Sequence, residues 1–129
     1  YRKSLTNPKS KLFLNFPEFK PSLYEIINLI HESGGKAFLA HPYHYKMENP
    51  EEFLNNLYNE YNLDGIECFY TTFNTKQTNY LSNFAKERNL LISGGSDYHG
   101  LNKKHHELGS GNGNLFINKE ILSNWSNHV

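Results

Sequence analysis

Three short apolar runs limit what this chain can fold into: residues 36–40, 66–70 and 90–92. Their starts lie about 25–30 residues apart, and the stretches between them carry apolar residues at helical intervals. Ser22 with Glu25 three residues later has capping-box spacing and predicts a helix burying Leu23, Ile26, Ile27 and Ile30, stopped by Gly34-Gly35. Asn49-Pro50-Glu51-Glu52 offers a cap, a first-turn proline and two acids, predicting a second helix that buries Phe53, Leu54, Leu57, Tyr58 and Tyr61. A third opens at Thr75, buries Tyr80, Leu81, Phe84 and Ala85, and ends in a left-handed cap at Asn89. A Gly- and Asn-rich stretch, 109–114, then leads to a fourth predicted strand at 115–117 and a short helix around 120–125. The alternation is that of an α/β protein with parallel strands joined by crossover helices.

In such sheets the chemistry gathers at the carboxyl ends of the strands. Those ends carry His41, Tyr70-Thr71 and Asp97-Tyr98-His99. Residues two apart on an extended backbone share a face, so Asp97 and His99 can turn a carboxylate and an imidazole toward one cation. Gly94-Gly95 permit the tight turn that presents them. His41, at the end of a second strand, would aim at the same point. The competing reading is three capped loops with no ligand in common.

Bulk properties narrow the function classes. The 129 residues suffice for one domain but are short of a complete α/β barrel at about 250. Thirteen basic residues balance 13 acidic ones, so no net field holds nucleic acid or an anionic membrane nonspecifically. One cysteine, Cys68, sits in an apolar run as a packed thiol and excludes an intrachain disulfide, which points to a reducing, cytoplasmic setting. No stretch approaches the roughly 18 apolar residues of a membrane span. The chain starts at Tyr1, without methionine, and is polar and proline-punctuated to Pro21, which reads as the middle of a longer protein with a boundary between residues 1–21 and 22–129.

Taken together, Gly34-Gly35-Lys36-Ala37-Phe38-Leu39-Ala40-His41-Pro42, Asp64-Gly65-Ile66-Glu67 and Ser93-Gly94-Gly95-Ser96-Asp97-Tyr98-His99-Gly100 resemble, in order and spacing, the later motifs of the PHP (polymerase and histidinol phosphatase) family. The nearest branch is that of phosphoesterases acting on nucleoside 3′,5′-bisphosphates and RNA ends. The resemblance covers about residues 22–109. It implies the C-terminal portion of a (β/α)7 barrel that holds two or three divalent ions, commonly manganese, iron or zinc. His41, Asp97 and His99 match the family's late metal ligands, and Glu67 matches a recurrent position that supports a ligand from behind. His44, Lys103, Lys104 and His105 are candidate phosphate contacts.

The family's opening His-x-His, early Asp and mid-domain Glu and His are absent here. The resemblance therefore implies a metal-dependent phosphoesterase in a longer parent and an inactive chain in isolation. The alternatives are a non-catalytic split or degenerate module acting with a partner chain, or an exonuclease or histidinol-phosphate phosphatase of the same family. An incomplete barrel would also leave Phe38, Ile66, Phe69, Leu91 and Phe116 to be covered by the missing N-terminal half, a second copy, or residues 11–19 folding back.

Overall fold

The apolar runs become three adjacent parallel strands, β1 (Phe38–Leu39), β2 (Gly65–Tyr70) and β3 (Leu91–Gly95), in that spatial order. This computed structural model describes residues 7–11, 20–45 and 47–125. Among the described residues, three α-helices precede the strands in turn: α1 (Leu23–Glu32), α2 (Pro50–Glu60) and α3 (Thr75–Glu87). Each begins where the sequence supplies a cap. Ser22 and Glu25 form the capping box of α1, the Asn49 side chain accepts from Glu51 and Glu52 N–H at α2, and Asn74 with Gln77 forms a second box at α3. Asn89 adopts the left-handed conformation expected after α3, with φ 54°.

The core lies between the sheet and the inner faces of α2 and α3. Leu54, Ile66, Cys68, Leu81, Phe84, Ala85, Leu90 and Ile92 form one buried cluster. Cys68 is fully buried, and burial pushes its thiol up to about 12, so it packs rather than reacts. Gly65 is required on β2, because a Cβ there would lie 2.1 Å from the Phe38 ring. Among the described residues, no helix is long and apolar enough to cross a membrane.

Two expectations fail in the last third of the chain. Residues 115–117 are not a strand, and the terminal helix is a 3-10 segment, Lys119–Asn124. Gly111 and Gly113 take positive φ, and the Gly113 and Leu115 N–H groups both donate to the Ser110 carbonyl, so the chain leaves in turns rather than entering the ladder. The segment covers a sheet face instead. The Trp125 ring stacks on Phe38 at 5.1 Å and its Nε1–H donates to the Ile92 carbonyl at 3.1 Å. Of the residues expected to be left for a missing half to cover, Phe116 is 81% exposed, whereas Ile66 and Leu91 are buried within the chain.

The predicted buried face of α1 is also only partly realised. Ile27 is buried and Ile30 partly so, but Leu23 and Ile26 are exposed, as is Leu29 outside that face. The helix is held at its C-terminal end instead, through Asp64. One carboxylate oxygen accepts from the Ala37 N–H at 2.7 Å and lies 2.7 Å from His31 Nε2, and the other lies 3.1 Å from Lys36 Nζ. The segment proposed to cover the sheet edge, residues 11–19, lies outside the described residues except for Lys11.

Burial by itself raises the Asp64 pKa, but the bonds from Ala37, His31 and Lys36 outweigh it and hold it below the ordinary 3.8. A depressed carboxylate stabilises the fold above its unfolded pKa, and that stability is lost as pH falls through the folded value. Asp64→Asn should therefore cost about 1–2 kcal/mol at neutral pH, with the deficit disappearing as pH drops below 3.8. Thermal melts of both proteins across pH check this; a deficit that persists unchanged in acid would contradict it.

Candidate functional site

An irregularity in β2 shapes the carboxyl end of the sheet. Glu67 pairs with Ser93, but Phe69 already pairs with Gly94, so Cys68 is an extra residue on the central strand. Residues three apart on a regular strand face opposite ways, and a bulge resets that alternation. Glu67 and Tyr70 accordingly both reach the loop after β1. A Glu67 carboxylate oxygen accepts from the His41 backbone N–H at 2.6 Å, and the Tyr70 ring lies 5.6 Å from the His41 ring.

Tyr70 also ties in β3. Its hydroxyl donates to Asp97 Oδ2 at 2.6 Å, and the Lys103 ammonium bonds the same oxygen. These bonds, Lys103 first, pull the Asp97 carboxyl down to about 2, so it is ionised across the neutral range. Glu67 moves the other way: burial raises its pKa against the opposing His41 N–H, and the nearby Asp97 charge raises it further. The two carboxyls thus face different environments at one end of the sheet.

Backbone geometry marks the same positions. Among the described residues, three non-glycine residues have positive φ: Asn89, which ends α3, and His41 and Asp97, at 33° and 54°. Left-handed backbone at non-glycine residues is costly and gathers at functional positions. His41 Nδ1 is, among the described residues, a buried nitrogen without a hydrogen-bond partner. Leaving it so is unfavourable unless something else occupies it.

His99 departs from the expected arrangement. Because β3 ends at Gly95 and Asp97 is left-handed, the extended alternation does not apply. His99 Nδ1 instead lies 2.7 Å from Asp97's own carbonyl oxygen and 3.3 Å from its Oδ1, with the side chain about half exposed. His41, His99 and Asp97 are residue types that ligate divalent ions, and Glu67 stands behind the His41 turn. The unpartnered His41 nitrogen fits such an ion, yet among the described residues no three His, Cys, Asp or Glu side chains stand ready to hold one. The set fits as part of a site rather than a whole one.

The other candidates spread over two loops. His44 Nε2 lies 2.9 Å from Thr72 Oγ1, and its ring meets Tyr70 edge-on at 4.8 Å. Lys103 and Lys104 line a concavity of about 310 Å³ beside Tyr98. His106, next to His105 in the same basic run, lines it where His105 does not, and its Nδ1 lies 3.2 Å from the Ser96 carbonyl oxygen. Tyr70 was named from the sequence only by its place at the end of a strand, and its bond to Asp97 is what brings it into the site.

Because the Glu67 carboxylate holds the left-handed His41 turn by its N–H, Glu67→Ala should speed hydrogen exchange at the His41 amide by about tenfold or more. Glu67→Gln, which keeps an acceptor oxygen, should retain most of the protection. Equal exchange in all three proteins would show that the carboxylate does not position the loop.

No protein-family profile matches the chain. It is 32% identical over 81 residues to the 5′-3′ exoribonuclease Rnm of Escherichia coli K12, and 31% identical over 81 residues to the Rnm of Salmonella typhimurium. Each match takes in 60% of this chain and 27% of the relative, so the chain spans about a quarter of the length of the curated relatives it matches. A crystal structure from Bifidobacterium adolescentis, provisionally named a metal-dependent phosphoesterase, superposes with a TM-score of 0.61 at 28% identity, over 95% of this chain and 44% of that one.

Proposed function

We propose that this chain is the C-terminal part of a PHP-type metal-dependent phosphoesterase whose complete domain is a (β/α)7 barrel. The observation that carries the reading is the coincidence at His41 and Asp97 of ligand chemistry, strand-end position and left-handed backbone, with an unpartnered buried nitrogen on His41. Resemblance to a phosphoesterase structure and to two exoribonucleases supports a hydrolase of phosphate esters, and the latter favour RNA ends over free nucleotides.

In this reading His41, Asp97 and His99 are metal ligands, joined by further ligands from the rest of the domain. A divalent ion, once bound, polarises a phosphoryl oxygen and lowers the pKa of a coordinated water from about 15.7 toward 7. The chain's own contribution is positional. Glu67 fixes the His41 turn, Tyr70 orients the Asp97 carboxylate, and Asp97 stays ionised. Lys103 is held on Asp97, so Lys104 and His44 are left to supply donors for phosphate oxygens, with His106 rather than His105 beside the lysines. The exposed apolar face of α1 is where the missing half of the domain, or a second copy, would pack.

The test is hydrolysis of a 5′-phosphorylated RNA by the full-length parent and by this chain alone. The parent should turn over, lose activity to a chelator and to Asp97→Ala, and lose about tenfold to Tyr70→Phe, the usual size of an effect on a ligand's support. The isolated chain should be nearly inactive. Comparable turnover by the chain, or an Asp97→Ala parent with full activity, would overturn the proposal and favour a non-catalytic role.

A further inference from the structure

A second cavity opens at the same end of the sheet and belongs to none of the residues assigned above. It has a volume of about 310 Å³ and lies between the first turns of α2 and α3, lined by Tyr43, Asn49, Glu51, Lys76, Gln77 and Tyr80 among others. That volume falls within the range of small-molecule sites, about 300–1,000 Å³. Because α2 and α3 follow β1 and β2, their N-terminal turns stand at the carboxyl ends of those strands, on the side of His41 and Asp97.

The lining combines flat apolar faces with uncommitted polar groups. Tyr43 and Tyr80 are half-buried, and among the described residues no hydrogen bond engages either hydroxyl. Gln77 spends its side-chain oxygen on the Asn74 N–H, which leaves its amide hydrogens to donate. Lys76 adds an ammonium donor, and Glu51 adds a carboxylate acceptor. The cavity is also joined to the candidate site by aromatic contacts. The Tyr43 ring meets Phe73 edge-on at 5.4 Å, Phe73 lies 5.2 Å from Tyr70, and the Tyr70 hydroxyl bonds Asp97.

We infer that this cavity is a subsite for a nucleobase of the substrate, held between tyrosine rings and read at its edge by Glu51, Lys76 and Gln77. A base is flat, apolar on its faces, and carries both donors and acceptors around its rim, which is the complement of this lining. A phosphate would meet the Glu51 carboxylate unfavourably, and a bare sugar would leave the ring faces unused. The inference rests on the reading of the chain as part of a nucleotide or RNA hydrolase, and it adds where the base sits.

Adenosine is the probe, because an uncharged nucleoside binds without metal or phosphate and so reports on the subsite even if the hydrolase reading fails. In a nitrogen-15 NMR titration of this chain, adenosine should shift the amides of Glu51, Lys76 and Gln77, and ribose should not. Lys76→Ala and Tyr80→Phe should each weaken binding several-fold, and Tyr80→Leu, which removes the ring, about tenfold or more. Lys76 is exposed, so its variant keeps the test valid if the Tyr80 changes disturb folding. Tighter binding of the dinucleotide pApA than of pA would assign the base to an RNA chain, and equal binding to a mononucleotide, with Lys76→Ala weakening both. Shifts confined to other residues, equal shifts with ribose, or unchanged affinity in Lys76→Ala would overturn the inference.

Discussion

The Glu67 carboxylate is the point on which the end of the sheet depends. It sits half-buried on the central strand, where an ionised group is costly, and its compensation is one short bond from the His41 backbone N–H. That bond holds a histidine in left-handed backbone just past β1. One strand over, the extra residue at Cys68 lets Tyr70 reach Asp97 although Glu67 has already taken the position three residues earlier. Both flanking strands are thereby tied through their loops to β2. A carboxylate kept in this position at the expense of stability is better explained by what it positions than by what it stabilises.

The same architecture accounts for the parts that look unfinished. Three strands and two well-packed helices bury a single cluster, and Asp64 clips the end of α1 to the start of β1 and β2. Outward from there the packing thins. α1 turns Leu23, Ile26 and Leu29 to the surface, and residues 109–118 run as turns with Phe116 exposed. Exposed apolar residues gather there, away from the packed cluster, and the chain covers 44% of the length of the phosphoesterase structure it resembles.

Much of this was legible in the sequence because it is encoded locally. The capping residues Ser22, Asn49 and Asn74, or its neighbour Thr75, stand beside the helices they start, and the three apolar runs became the three strands. The fourth strand misled because 115–117 has strand-like composition, but the glycines at 111 and 113 turn the chain out of register before it can pair. Site positions at strand ends were readable for the same local reason. What spacing could not supply was the left-handed conformation of Asp97, which swings His99 back onto its own loop, or the bulge that brings Tyr70 to Asp97. Lys103 was read as a phosphate contact, while the fold sets it on Asp97, a pairing six residues apart that no strand or helix period predicts.

In the proposed site His41 and Asp97 face a common divalent ion, with the His41 imidazole as one of its ligands. A titration of the chain with zinc, followed by the side-chain nitrogen-15 resonances of its histidines, tests it most directly. The His41 ring nitrogens should shift first, and Asp97→Asn should weaken the response. A His41 resonance that stays silent while His105 and His106 take up the ion would contradict it.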